Sequence, residues 1–344
     1  MVGPPPASWD VTPEDAGARE IAGGLWRLRL PLPWDAIPHV NAYAMGHPDG
    51  GAILVDCGSA GDLTLWDALV AALRDAGFAV RDVRQVVLTH YHSDHAGVLS
   101  RLVEETGCEV LGHPAIEHFT DGKLQPELVT AARATRARRE GTPEDVVSYC
   151  ADVGEEVFGV LDPIPPTRAI RDGDSIPSAL GTWTVIETPG HAPSHVALHQ
   201  RDSGILMVGD LLAPAFFPFY DYGYTPDPVA EYFLSLERIE EIEDVALTIA
   251  GHGRPLPDLA ESITFWRGEM RKAVEAVERE VAAGAETGWE VTTRLYDVTT
   301  PSKVEAVAGL GEVMAYLRHL RRHGRIVRRT LPDGTFRYAP AAGA

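Results

Sequence analysis

The sequence predicts an α/β protein of layered strands and helices, ending in a small α+β module. Three observations point there. Apolar runs of strand length alternate with helical patterns through the first 258 residues. Ligand-type side chains recur where such strands end. Near the C-terminus, two helical stretches lead into an Asp-Gly turn between strand-like runs. At 344 residues the chain has room for one large domain and a smaller one.

Residues 1–20 are Pro-rich and acidic and read as a loosely held arm. The alternating run Leu25-Trp26-Arg27-Leu28-Arg29-Leu30 reads as a half-buried strand. Residues 39–45 form a second strand, and a Pro-Asp-Gly-Gly turn leads into a third at 52–56, an antiparallel meander. Leu65, Leu69, Ala72 and Leu73 share one face of a helix over 61–76, which Gly77 stops. A buried strand over 84–89, a helix over 97–106 and a short strand over 109–113 follow. Residues 115–168 read as a helical insert with helices over 124–140 and 143–158. The second opens with Thr142 as cap and Pro143 at the first helical position. Such an insert is expected to cover a pocket. Strands return at 182–188, 196–200 and 204–210. A helix over 228–243, a strand over 245–250 and a long helix over 258–283 complete the pattern, with a module over 259–344.

The stretch Thr89-His90-Tyr91-His92-Ser93-Asp94-His95 places three imidazoles and a carboxylate at the end of a strand. Extended backbone points residues i and i+2 the same way, so His90 and His92 can grip one metal, with Asp94 and His95 free to face another. Nitrogen and carboxylate ligands without thiolate suit zinc, with manganese or iron as alternatives. Three further candidates follow strands and sit beside glycine: His191 in Pro-Gly-His, Asp210 in Val-Gly-Asp and His252 in Ala-Gly-His. Two metals could be held by His90, His92 and His191 on one side and by Asp94, His95 and His252 on the other, with Asp210 bridging.

The ordered set His-x-His-x-Asp-His, Gly-His, Gly-Asp, Gly-His resembles the metallo-β-lactamase superfamily over residues ~20–258. Within it, the chain is similar to the glyoxalase II-like and β-lactamase-like protein 2 groups. The resemblance implies an αββα sandwich spanning residues 21–258 with a dinuclear site at one edge. It implies that Asp56, at the end of a strand, supports the ligands, and that His195 is a structural neighbour of them. Cys57 departs from the small residue usual after that Asp. His113 is expected not to be a ligand. Two bound cations would lower the pKa of a bridging water toward neutrality, and Asp94 would orient it or accept its proton.

The same identities weigh against some relatives. Diiron oxygen-reducing members carry Glu where His92 stands. Antibiotic-hydrolysing enzymes usually have cysteine at the position of Asp210 and are exported. The expected reaction is therefore hydrolysis of a thioester, ester or lactone. A ribonuclease or phosphodiesterase of the same fold, and a mononuclear iron persulfide dioxygenase, are the alternatives.

Composition bounds the partners. The net charge is −20, yet residues 313–344 hold seven arginines against one acid, so that stretch carries +6 and the rest −26. A body that acidic repels polyphosphate, and nucleic acid is not the expected partner. The basic tail is expected to pack on the acidic body or in a homodimer. Helices over 301–308 and 311–323 and a hairpin with its turn at Pro332-Asp333-Gly334 resemble a small winged helix. The aromatic stretch Phe216, Phe217, Phe219, Tyr220, Tyr222 and Tyr224 beside Asp210 is the candidate wall for an acyl or aromatic small-molecule substrate. No run approaches the ~20 apolar residues of a membrane span. The opening Met-Val-Gly-Pro-Pro-Pro has no signal-peptide pattern, and three dispersed cysteines give no disulfide framework. A cytoplasmic location is expected.

Overall fold

A computed structural model describes residues 15–34, 37–61, 63–156, 164–212, 224–296 and 303–342. It opens with β1 (Gly17–Ala22), β2 (Leu25–Trp34), β3 (Ile37–Gly46) and β4 (Ala52–Val55), each antiparallel to the next. Helix α1 (Leu63–Asp75) crosses to β5 (Val83–Val87), then α2 (Ser93–Ala96) and α3 (Leu99–Thr106) cross to β6 (Glu109–Gly112). The insert, α4 (Glu117–Leu124), α5 (Pro126–Arg139) and α6 (Glu144–Glu156), separates β6 from β7 (Arg168–Ala169). From β4 to β7 the pairing is parallel, closing a seven-stranded sheet in sequence order.

The second sheet is built from β8 (Ser175–Ser178), β9 (Gly181–Glu187), β10 (Val196–Gln200), β11 (Ile205–Met207) and β12 (Leu247–Ile249), which follows helix α7 (Pro228–Glu240). Its order is β12-β11-β10-β9-β8, with only β11 and β12 parallel. The chain then runs through α8 (Leu259–Ala282), α9 (Gly288–Leu295), α10 (Lys303–Arg322) and the hairpin β13 (Ile326–Thr330) and β14 (Phe336–Pro340).

Period-2 alternation assigns each strand's two faces to two cores. In β4, Ile53 and Val55 point inward between the sheets to meet Val185, Leu198 and Met207, while Ala52 and Leu54 point outward under α1 and α3. Leu206 and Ala197 face the other way, onto α7, α8 and α10 through Tyr232, Trp266 and Leu317. The layers are therefore helix, sheet, sheet, helix, as expected.

Several elements differ from the sequence reading. Residues 17–20, read as arm, lie in β1, where they pair with β2; residues 1–14 of the arm lie outside the described residues. The insert holds a further helix, α4, whose apolar periodicity is too weak to announce it. The short strands β7 and β8 and helix α9 were not expected. The two helices at 301–308 and 311–323 are one helix, α10. Gly309, between the two expected helices, lies against the ring of Tyr296, where an added Cβ would stand 3.2 Å from the ring. Close packing is the use of that glycine, and the helix runs through it.

The basic tail packs on the body. Arg325 pairs with Glu278 of α8, Arg337 with Glu286 at 3.5 Å, and Arg318 donates to the carbonyl of Thr225 at 2.8 Å. The insert meets the same region, with Ala137, Val147 and Cys150 packed on Leu310 and Met314. Glu140 anchors this contact: Tyr338 of β14 donates its hydroxyl to Oε1 at 2.9 Å, and the Glu140 carbonyl accepts from Trp289 N at 2.9 Å.

Burial raises the Glu140 carboxyl to about 7. An unfolded glutamate titrates near 4.3, so the folded state keeps the proton longer. That stability is full below about pH 4 and is lost as pH rises through 7, a cost on the order of 3 kcal/mol. Glu312, also raised by burial to about 7, adds to the same window. Denaturant titrations from pH 5 to 8 should therefore show wild type losing stability relative to Glu140→Gln. Parallel curves for the two proteins would contradict this assignment.

Candidate metal centre

The ligand-type residues meet at one edge of the sandwich, on loops that leave the C-terminal ends of β4, β5, β9, β11 and β12. Parallel pairing of β4 with β5 and of β11 with β12 makes those ends coincide. Strand β5 ends at Val87, so His90 and His92 stand on irregular backbone beyond it rather than on the strand itself.

Asp56 organises the first sheet's contribution. It holds a left-handed backbone (φ 58°), and its carboxylate accepts from Thr89 N, from Thr89 Oγ1 and from His95 Nδ1, each at 2.8 Å. The Cys57 amide donates to the His95 carbonyl at 2.7 Å. His95 is thereby fixed with Nε2 aimed into the cluster. His252 is set in the same way, with Nδ1 donating to the His39 carbonyl at 2.8 Å. Asn41 and Tyr43 of β3 reach across to the carbonyl of Ala250 at 2.9 and 2.6 Å, stitching the His252 loop to the opposite sheet. His195 Nε2 accepts from Asp210 N at 3.0 Å, so its Nδ1–H donates to Thr188 Oγ1 at 2.8 Å. Its ring is committed to holding the Asp210 loop.

Two groups result. Ligand atoms of His90, His92 and His191 lie within 4.8 Å of one another, as do those of Asp94, His95, Asp210 and His252. Asp210 Oδ2 joins them: it stands 4.0 and 3.6 Å from Nε2 of His90 and His191, and 3.4 and 3.3 Å from Nε2 of His95 and His252. Asp94 Oδ2 is 3.2 Å from His252 Nε2. Tetrahedral zinc with ligands at about 2.0–2.1 Å places ligand atoms roughly 3.3 Å apart, which these separations approach.

The donor set fits metal ions on a further ground. Nε2 of His90, Nε2 of His95 and Oδ1 of Asp210 are buried and have no hydrogen-bond partner among the described residues, a costly arrangement for polar atoms without a ligand. Gly251 keeps this space open, since a Cβ there would stand 2.1 Å from Asp210 Oδ1.

Electrostatics divide the imidazoles. Burial holds His90 and His191 well below the usual imidazole range and His92 at about 4. Burial also opposes a proton on His252, but Asp210 and Asp94 outweigh it and raise the group to about 10; His95 follows the same pattern. Burial would raise Asp94, yet His95 and His252 overcome it and bring the carboxyl down to about 2. The carboxylates thus draw positive charge to these nitrogens, where protons and metal ions compete.

Among the other predicted residues, Tyr224 is partly exposed and donates its hydroxyl to Asp121 of α4. Phe216, Phe217, Phe219, Tyr220 and Tyr222 lie outside the described residues. His113 bonds Glu187 at 3.1 Å, away from the cluster. His118 of α4 was not anticipated: its Nε2 is 3.4 Å from Ser194 Oγ and its ring 6.5 Å from that of His92. Nothing in its spacing signals this approach, which depends on where the insert folds back.

An αββα sandwich carrying such a histidine and aspartate cluster at its edge defines a metal-dependent hydrolase. The chain belongs to the metallo-β-lactamase superfamily, whose family model matches residues 38–252. It is 29% identical over 280 residues to the probable metallo-hydrolase YqjP of Bacillus subtilis, covering 78% of this chain and 84% of that protein. It is 30% identical over 166 residues to a hydroxyacylglutathione hydrolase of Cereibacter sphaeroides, 48% of each chain. A β-lactamase domain protein from Burkholderia ambifaria superposes with a TM-score of 0.78 at 26% identity, covering 96% of both chains.

Asp56→Asn keeps a side chain that tolerates the left-handed backbone but removes the charge that orients His95. Competition with a chromophoric chelator should show metal affinity lowered 10–100-fold. Unchanged affinity would mean that Asp56 serves only the backbone.

Proposed function

We propose that this chain is a dinuclear hydrolase, zinc being the metal, that cleaves a thioester, ester or lactone of a small acyl or aromatic substrate. The observation that carries the reading is Asp210 Oδ2, one oxygen within reach of imidazoles from both groups. His90, His92 and His191 would hold one ion and Asp94, His95 and His252 the other, with Asp210 between them. Seven ligands divided this way suit two ions better than the single iron of a dioxygenase.

When bound, two such ions supply Lewis acidity and lower the pKa of water toward neutrality. The protein's part is to position and to move protons. One Asp94 oxygen faces His252 and His95, which keeps the carboxylate ionised and leaves its second oxygen to orient the nucleophilic water and receive its proton. Dense packing around the buried imidazoles excludes bulk water. The insert forms part of the rim through His118 and Asp121. The relative named hydroxyacylglutathione hydrolase supports an acyl–thiol substrate, and the acidic body, with Arg318, Arg325 and Arg337 of the tail bound to the protein, disfavours RNA.

Zinc-loaded protein should hydrolyse acyl-thioesters or lactones, lose that activity to chelator and regain it with zinc. Asp94→Ala should lower kcat by about 10²–10⁴-fold. Cleavage of single-stranded RNA with no acyl hydrolysis would overturn the substrate class.

A further inference from the structure

We propose that Asp227, His319 and His323 form a separate divalent transition-metal site, at the joint between α7 and α10. Ligand atoms of the three residues lie within 4.8 Å of one another. His319 Nδ1 stands 3.0 and 3.2 Å from the two Asp227 oxygens, and His323 Nε2 stands 3.6 Å from Oδ2. These separations bracket the roughly 3.3 Å between ligands of a tetrahedral zinc ion.

The arrangement is built into the fold. His319 and His323 are four residues apart, so a helix presents them on one face. The His323 amide donates to the His319 carbonyl at 3.0 Å, continuing the helical turn past Arg322, and the two rings lie tilted to one another with centroids 4.3 Å apart. Asp227 caps α7, its Oδ1 accepting from Ala230 N at 3.0 Å, which fixes the carboxylate before any ion arrives. Asp227 is buried, His319 half-buried and His323 exposed, so an ion has an approach from solvent. Two imidazoles and one carboxylate select zinc, cobalt or nickel over calcium or magnesium, which demand more oxygens.

One group opposes the ion. Arg322 Nε lies 3.9 Å from Asp227 Oδ2. Its side chain is half exposed on a long stem, so a metal can displace it into solvent. The displacement makes this site weaker than the buried cluster. An ion here would clamp the C-terminal helix to α7, whose Ser235 hydroxyl donates to the Pro189 carbonyl at 2.6 Å, two residues from His191.

The test is calorimetric titration of zinc into the full chain, with His323→Ala, His319→Ala and His47→Ala beside wild type. Wild type and His47→Ala should bind one more zinc per chain than His323→Ala and His319→Ala. Zinc should raise Tm further in the first pair than in the second. Cobalt(II) should show the same one-ion difference in its visible absorption. Equal stoichiometry in wild type and His323→Ala would overturn the site, leaving Asp227–His319 as an ion pair alone. His323 is exposed, so its variant decides the question even if His319→Ala does not fold. Because the readout is a difference between variants, it holds whatever the occupancy of the catalytic cluster.

Discussion

The carboxylate of Asp56 is the contact on which the site depends. Three donors converge on it, and two of them belong to the residue that opens the histidine run. Charge-assisted hydrogen bonds contribute about 1.5–3 kcal/mol each where they are shielded from water, and this group is fully buried. Its left-handed backbone turns the chain out of β4 at the point where the end of β5 arrives. The position of Thr89 after the end of β5 and the orientation of His95 are thus held by one side chain. Removing it leaves Thr89 and His95 with unmatched donors, not merely with one contact fewer.

The second sheet reaches the same place by a different device. Its ligands sit beside glycines, and their loops are held from two sides: Asn41 and Tyr43 of the opposite sheet grip Ala250, while His195, on the β9–β10 loop of the same sheet, grips Asp210. Both halves therefore bring ligand nitrogens to a shared oxygen without relying on the metal to gather them. Preorganisation of this kind means that binding an ion mainly displaces protons and water, and little ordering free energy is required.

Much of this was legible in the sequence because the chemistry is local. His90, His92, Asp94 and His95 lie within one turn of chain, and each distant ligand carries its own glycine. Alternation in β2 announced the first sheet for the same reason, since a period of two is visible in a few residues. What was hidden depends on distance or on packing. Helix α4 is weakly amphipathic, so its placement of His118 at the rim is set by tertiary contact. The single helix α10 read as two, and the close approach of Gly309 to Tyr296 within it shows only in three dimensions. Asp227 and His319 are separated by 92 residues, and no spacing rule relates a helix cap to the last turn of a helix that far along the chain. The arginine-rich tail illustrates the converse: its charge was plain, but its partners Glu278, Glu286 and Thr225 could be identified only in three dimensions.

The bond between Glu140 and Tyr338 has a consequence for the order of synthesis. Every candidate metal ligand has been synthesised once His252 is made, but the partners of the insert, α10 and β14, come last. At roughly 5–20 residues per second, several seconds separate the two events. During that interval Ala137, Val147 and Cys150 face solvent, because Leu310 and Met314 do not yet exist to cover them. In the nascent chain every candidate ligand is therefore made before the insert can be seated. The second sheet waits on the same element, since Ala197 and Leu206 are covered in part by Leu317 of α10.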